Sequence, residues 1–230
     1  LLSRGLGDVY KRQSKHSALS FRHFVLGTVA IFIYVGVEVG IPNFANLFMT
    51  SPEINIDPTI AGSVVGTYWF LMMIGRLCGA SIGAKVSSRA MLTVVSTVGI
   101  ALVLGAIFCA DNILVNMPVF KSDISFGFAQ VPVNVMLLIL CGLCTSVMWG
   151  GIFNLAVEGL GKYTAAASGL FMVMVCGGGI LPLIQGGVAD FAGFLNSYWV
   201  IALGLAYILF YAAIGSKNVN TDIPTDDYEA

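Results

Sequence analysis

The stretch FVLGTVAIFIYVGVEVGIPNFANLFM, from Phe24 to Met49, decides the fold of this chain. It is long enough to cross the hydrocarbon layer of a bilayer, which takes about 20 apolar residues in a helix. Its one charged side chain is that of Glu38, close to its middle. A carboxylate at that depth costs about 3 kcal/mol, so it usually persists because it has a function. The stretch therefore predicts a membrane helix and makes Glu38 the first candidate for a functional residue.

Five further stretches share this length and composition. Residues 60–83 contain a single charged residue, Arg76, and the other four stretches contain no Asp, Glu, Lys or Arg. Helices satisfy their own backbone hydrogen bonds in lipid, and stretches this long exceed the strands of a membrane barrel. With 57% hydrophobic residues, the sequence predicts an all-α membrane protein with six transmembrane helices. The five stretches are residues 60–83, 90–110, 131–157, 165–189 and 191–216.

The basic residues outside these stretches predict the orientation. Nine of them fall on the side shared by both termini, and one, Lys121, falls on the opposite side. By the positive-inside rule we expect an inner (cytoplasmic) membrane protein with both termini in the cytoplasm. We expect a cytoplasmic N-terminal segment at 1–20, the transmembrane bundle at 21–216 and a cytoplasmic tail at 217–230. A net charge of −1 gives no indication of nucleic-acid binding.

The N-terminal segment differs from the rest of the chain. The chain has no initiator Met, and this favours a fragment of a longer protein. Residues 1–13, LLSRGLGDVYKRQ, have neither the apolar core of a signal peptide nor the periodicity of an amphipathic anchor. They resemble a string found at the ends of translated sequence assemblies, which suggests that residues 1–13 are not native.

Several polar groups accompany Glu38 in the first stretch. Pro42 has no N–H, so the Glu38 carbonyl loses its partner within the helix. Tyr34 lies one turn before Glu38 on nearly the same face, and Asn43 and Asn46 follow within two turns. A phenol, a carboxylate and two amides can hydrogen-bond sugar hydroxyls or an ion. The structural alternative is a neutral Glu38 that is hydrogen-bonded inside the bundle.

Glycine spacing predicts a close helix contact in the second stretch. Gly75, Gly79 and Gly83 are four residues apart, which places small residues on one helix face and lets another backbone approach. Such a face also lets two helices slide or rock. Helix packing and gating are both compatible with this spacing.

The fifth stretch is predicted to be a broken helix. Gly177, Gly178 and Gly179 lower helix propensity, and Pro182 cannot donate a hydrogen bond to the Gly178 carbonyl. A broken helix persists in a bilayer where the freed groups face protein or a wet cavity. With Gln185 nearby, the break predicts a substrate cavity, and a kink that curves the helix around its neighbours is the alternative.

Three other features have a structural and a functional interpretation. Trp149 would stack on a sugar ring or pack in the core, and Arg76 would reach the headgroups or pair with an acid of another helix. The five cysteines lie within the stretches without a suitable His, so we predict no metal site, disulfide or cofactor. We expect no enzyme, because the sequence has no HExxH, no serine motif with an intramembrane His and no pair of membrane aspartates.

Four motifs occur in a characteristic order: YVGVEVGIP at 34–42, Gly75-Arg76 with Gly79, FNLAVEGLGK at 153–162, and the glycine-rich run at 168–190. Together they resemble the C-terminal half of the fucose/glucose/galactose proton-symporter family in the major facilitator superfamily. The resemblance implies one half of a twelve-helix major facilitator fold, helices seven to twelve, whose partner is a missing N-terminal six-helix half.

The resemblance also implies a function. It implies a secondary active transporter that moves a monosaccharide such as fucose, glucose or galactose by alternating access, coupled to protons. The family's principal proton-coupling acids lie in the N-terminal half, so Glu38 is expected to line the sugar site and to be at most an additional coupling group. The alternative is a complete six-helix protein that dimerises into a channel or carrier for another small solute. The expected sugar-binding residues are Glu38, Tyr34, Asn43, Asn46, Trp149 and Gln185.

Overall fold

The computed structural model describes residues 16–110, 112–121 and 123–225. Within these residues, six helical segments are long and apolar enough to cross a membrane, as the sequence predicts. The expectations for residues 1–13, and for the last part of the C-terminal tail, lie outside the described residues. The six segments, called spans one to six, are Arg22–Thr50, Pro58–Gly83, Ser88–Phe108, Val133–Val157, Gly161–Ala192 and Phe194–Gly215.

Two of the six spans are built from more than one α-helix. Spans one to three are the single helices α1, α2 and α3, whereas span four divides into α4 and α5 and span five into α6 and α7. Span six is α8 followed by a short π-helical turn. The bounds are α1 Arg22–Thr50, α2 Pro58–Gly83, α3 Ser88–Phe108, α4 Val133–Thr145, α5 Met148–Val157, α6 Thr164–Val173, α7 Gly177–Ala192 and α8 Phe194–Phe210.

Local sequence explains where α2 and α3 begin. The Asp57 carboxylate accepts a hydrogen bond of 2.8 Å from the Thr59 N–H, and Pro58 occupies the first turn, where its missing N–H costs nothing. The bond from the Thr59 N–H holds the pKa of the Asp57 carboxyl below its usual value. Ser87 caps α3 in the same way through the Ala90 N–H.

Helix α1 occupies the centre of the bundle. It contacts α2, both helices of span four, α7 and α8. Its sequence is apolar on every side, which is typical of a helix surrounded by protein. Glu38 is therefore carried by the helix that most of the others touch.

The break predicted at the glycines and Pro182 of span five is not found there, and span five breaks before the glycines instead. A 3₁₀ turn at Met174–Cys176 separates α6 from α7, and Pro182 lies inside α7. Span four has a second break, at Ser146 and Val147, which the sequence analysis did not predict. No proline or glycine run marks that position.

The glycines of α2 pack against the break in span four. A Cβ on Gly75 would overlap the Ser146 hydroxyl oxygen, and one on Gly79 would overlap a methyl group of Val147. A Cβ on Gly83 would meet open space. Gly75 and Gly79, two of the three predicted packing glycines, therefore let α2 pack directly against the irregular part of span four.

The glycines of α7 allow a close crossing with α1. A Cβ on Gly177 would overlap the main chain of Phe32, and one on Gly178 would lie 2.9 Å from Val35. In α1, Gly36 faces Leu181 in the same way. Gly179 faces open space. The crossing thus depends on Gly177 and Gly36, where the two helix backbones come closest.

The segment between α3 and α4 forms a β-hairpin. Strands β1 (Leu114–Phe120) and β2 (Phe126–Pro132) are antiparallel, so span four begins at Val133 instead of residue 131. The Phe120 N–H donates to the Thr67 hydroxyl at 2.9 Å. The hairpin is thereby attached to α2.

The described part of the C-terminal tail packs back on the bundle. The Arg22 N–H at the start of α1 donates to the Asn220 side chain at 2.9 Å, and the Lys162 N–H donates to the Thr225 carbonyl at 3.1 Å. The beginnings of spans one and five and the tail therefore meet at one end of the bundle.

Candidate functional site

Glu38 and Arg76 form a salt bridge between α1 and α2. Nη2 of Arg76 lies 3.0 Å from Oε1 of Glu38, and the two side chains are 56% and 13% exposed, respectively. Of the two interpretations of Arg76, pairing with an acid of another helix is the one found. Each charge compensates the other in a region where an isolated charge is costly.

The main-chain carbonyl of Glu38 also has a partner on α2. Pro42 leaves this carbonyl without its helical donor, and the Tyr68 hydroxyl donates to it at 3.1 Å. Tyr68 is fully buried, and its hydroxyl also lies 3.1 Å from the Thr145 hydroxyl. Glu38 is thus held by α2 at both its carboxylate and its backbone.

Tyr34 forms a hydrogen bond at the break in span four. Its hydroxyl donates to the Thr145 carbonyl at 3.1 Å, at the end of α4, where the helical hydrogen-bond pattern stops. Its ring is fully buried, and the edge-on ring of Trp149 lies 6.2 Å away, between centroids. Tyr34 therefore supports the wall of the site from behind.

Glu38 and Arg76 line a cavity of about 690 Å³. Its walls come from α1, α2 and α3, from the break in span four and from α5. The Asn154 amide, 3.4 Å from the Ser88 hydroxyl, adds further polar groups. Trp149 adds an indole, and Gly150 and Gly151 beside it leave room. A carboxylate, a guanidinium, an amide and an aromatic ring thus converge on one space.

The other predicted binding residues lie elsewhere. Gln185 is fully buried on α7, with Nε2 3.4 Å from the Ser197 hydroxyl and Oε1 against Gly40 of α1. Asn43 is exposed and Asn46 partly exposed, and neither lines the cavity. Of the six predicted residues, the cavity brings together Glu38 and Trp149, with Tyr34 directly behind Trp149.

A larger cavity of about 1020 Å³ lies between α2 and the β-hairpin. Trp69, Phe70, Phe120 and Phe126 contribute most of its aromatic wall, and Lys121 is its charged residue. It has no carboxylate and no amide among its lining residues. Its chemistry suits an apolar occupant more than a polar solute, so we place the candidate site at Glu38.

The site contains residues that the sequence analysis did not select. Pairing of Arg76 with an acid of another helix was one of its two interpretations, but Arg76 was not among the predicted binding residues. Asn154 belongs to the FNLAVEGLGK motif, whose spacing does not show that its amide faces the cavity, and Tyr68 and Thr145 carry no charge. Their roles depend on which helix faces touch, and one sequence does not reveal that.

Comparisons with known proteins agree on one group of relatives. No family model matches the chain. The glucose/galactose transporter of Brucella abortus is 32% identical over 203 residues, covering 88% of this chain and 44% of that protein. The L-fucose-proton symporter of Escherichia coli is 23% identical over 197 residues, covering 85% of this chain and 40% of that protein.

A solved structure shows the same fold. The crystal structure of the major facilitator superfamily transporter FucP, in the outward conformation, matches with a TM-score of 0.72 at 23% sequence identity. The match covers 86% of this chain and 43% of that chain. The chain therefore spans less than half the length of these relatives, and its six spans have the fold of about half a major facilitator transporter.

Proposed function

We propose, from the premise that the chain belongs to the major facilitator superfamily, that it forms one half of a secondary active sugar transporter. The substrate is a monosaccharide such as glucose, galactose or fucose, since the relatives are named for these sugars. The chain supplies the C-terminal six helices, and an N-terminal half supplies the opposite wall. The protein lies in the inner membrane with both termini in the cytoplasm, as the nine basic residues on that side favour.

The observation that carries this proposal is the Glu38–Arg76 pair in its cavity. A volume of about 690 Å³ is within the usual range for small-molecule sites. A sugar needs hydrogen-bond acceptors, donors and a flat apolar surface. The Glu38 carboxylate accepts bonds from hydroxyls, Arg76 and the Asn154 amide donate, and Trp149 offers its ring to the C–H face of a pyranose.

We propose that the complete protein couples transport to protons and that Glu38 binds the sugar. One relative is named as a proton symporter, which supports H⁺ as the coupling ion. Because Arg76 compensates the charge of Glu38, this carboxylate does not need a proton in order to remain inside the bundle. The principal coupling acids are expected in the N-terminal half.

Alternating access fits the construction of the cavity walls. Gly75 and Gly79 of α2 pack against the break at Ser146 and Val147. At this contact α2 presents glycines to span four instead of large, interlocking side chains. Breaks in spans four and five provide places where a helix can bend. We propose that the cavity opens to either side of the membrane by rocking at these contacts.

Sugar uptake by the full-length natural protein tests this function. The protein is produced in cells that lack their own carriers for glucose, galactose and fucose, and uptake of each labelled sugar is measured with and without a protonophore. We expect uptake of at least one sugar, and its collapse when the proton gradient is removed. Absence of uptake of all three, with the protein present in the membrane, would overturn the proposal. Uptake that persists without the gradient would overturn the proton coupling alone.

A further inference from the structure

The backbone of Glu38 is held by a residue of another helix. We infer that Tyr68 is a positioning residue, which fixes the direction of the Glu38 carboxylate by binding its main-chain carbonyl. This inference rests on the proposed sugar site. Tyr68 itself is absent from the lining of the cavity, so its effect on substrate acts through Glu38.

The Glu38 carbonyl needs a donor from outside its helix. In a regular helix the N–H of residue 42 would bind it, but that residue is Pro42. Lipid offers no hydrogen-bond donor, so the missing N–H has to be replaced by another part of the protein or by cavity water. The Tyr68 hydroxyl, 3.1 Å away on a fully buried side chain, supplies it. Without this hydroxyl, the peptide group at Glu38 would turn toward another donor, and the carboxylate would move with it.

Tyr68 and Arg76 belong to the same helix, α2. One binds the Glu38 carbonyl and the other the Glu38 carboxylate, at 3.1 Å and 3.0 Å, respectively. Two fixed points on one rigid element define the direction of the side chain between them. The Tyr34 side chain of α1 also interacts with the Glu38 carboxylate. The Arg76 side chain is long and 56% exposed and can follow a moving carboxylate, so the bond from Tyr68 to the backbone adds the second fixed point on α2.

The same hydroxyl also contacts span four beside the cavity. It lies 3.1 Å from the Thr145 hydroxyl, and the Thr145 carbonyl accepts the bond from Tyr34. Thr145 is the last residue of α4, directly before the break in span four. Tyr68 therefore sets the position of Glu38 relative to both α2 and the break beside Trp149.

A matched control separates positioning from simple stabilisation. Tyr198 is also fully buried, and its hydroxyl donates to the Ile41 carbonyl of α1 at 2.8 Å. Ile41 lies four residues before Ala45, whose N–H can bind its carbonyl within the helix. Tyr198→Phe thus removes the same kind of bond from the same helix, at a carbonyl that does not depend on it.

Uptake kinetics of the full-length protein test the inference. In Tyr68→Phe, we expect KM for the transported sugar to rise about tenfold, the usual effect of one lost buried hydrogen bond, with Vmax per molecule within about twofold. In Tyr198→Phe, we expect KM to stay at the wild-type value. A fall in Vmax with unchanged KM in Tyr68→Phe would mean a purely structural role and would overturn the inference.

A rescue experiment makes the assignment specific to the Glu38 carbonyl. Pro42→Ala restores the missing N–H, so Tyr68→Phe in that background should change KM by less than about twofold relative to Pro42→Ala alone. An equal rise of KM in both backgrounds would show that Tyr68 acts elsewhere. Failure of the wild-type protein to take up sugar refutes the proposed function. Wild-type uptake with an unchanged Tyr68→Phe refutes this inference alone.

Discussion

Nη2 of Arg76 lies 3.0 Å from Oε1 of Glu38, and this contact joins α2 to the central helix of the bundle. The pair is asymmetric, because the carboxylate is 13% exposed and the cationic side chain 56% exposed. Glu38 is held in place, whereas Arg76 reaches across the cavity to it. A substrate that entered the cavity could donate hydrogen bonds to the Glu38 carboxylate and accept them from the Arg76 guanidinium.

Removal of the cation tests whether the pair is needed for transport. Arg76→Ala leaves the Glu38 carboxylate without its counter-charge inside the bundle, and we expect sugar uptake per molecule to fall at least about tenfold. Arg76→Lys retains the charge and should retain more uptake. Lys85→Ala, which removes an exposed cation just after α2, serves as the control. Equal uptake in Arg76→Ala and the control would remove the ion pair from the mechanism.

The sequence predicts those parts of the site whose energetic cost can be recognised within the sequence of a single helix. Glu38 stands out because a carboxylate in an apolar stretch is expensive, and Pro42 shows that a carbonyl nearby must find another donor. The identity of that donor, Tyr68, depends on the rotation of α2 against α1. No local sequence pattern predicts the break at Ser146. The contacts at this break come from other helices, from α2 and from Tyr34 of α1.

The position of Gln185 is a second feature that could not be predicted from the sequence. Its predicted place in the cavity assumed that span five breaks at its glycines and Pro182, close to Gln185. The structure has a 3₁₀ turn at Met174–Cys176, and such a turn has about 3.0 residues instead of 3.6. The residues beyond it face different neighbours than a continuous helix would give them, and Gln185 contacts Gly40 and Ser197.

The crossing of α1 and α7 predicts a large difference between adjacent glycines. Gly177→Ala places a methyl group on the main chain of Phe32, which cannot move aside as a side chain can. We expect a loss of stability of about 1–3 kcal/mol. Gly179→Ala points into open space and should have little effect. Thermal unfolding of the purified full-length protein in detergent measures both. Equal melting temperatures for the two variants would contradict the close crossing.

The contact between α2 and the break in span four predicts a defect in the rate of transport. In Gly75→Ala the new methyl group would press on Ser146 and hold α2 away from span four. We expect Vmax to fall about fivefold, with a smaller change in sugar affinity, because Gly75 does not line the cavity.

Gly62→Ala is the control for this change. It lies on the same helix, and its Cβ would meet open space. Uptake kinetics and equilibrium sugar binding should be measured together on both variants. If Gly75→Ala weakened binding as much as it slowed transport, the contact would belong to the site itself and not to the movement around it.

The Glu38 cavity and the hairpin cavity make opposite predictions about tryptophan. Trp149 lines the cavity with Glu38, Trp69 lines the aromatic cavity beside the β-hairpin, and Trp199 packs its ring edge-on against Phe108 on α3. If the sugar stacks on Trp149, Trp149→Leu should raise KM about tenfold, whereas Trp199→Leu should leave KM unchanged. Trp69→Leu should behave like Trp199→Leu. A rise of KM in Trp69→Leu with none in Trp149→Leu would move the sugar site to the hairpin cavity and away from Glu38.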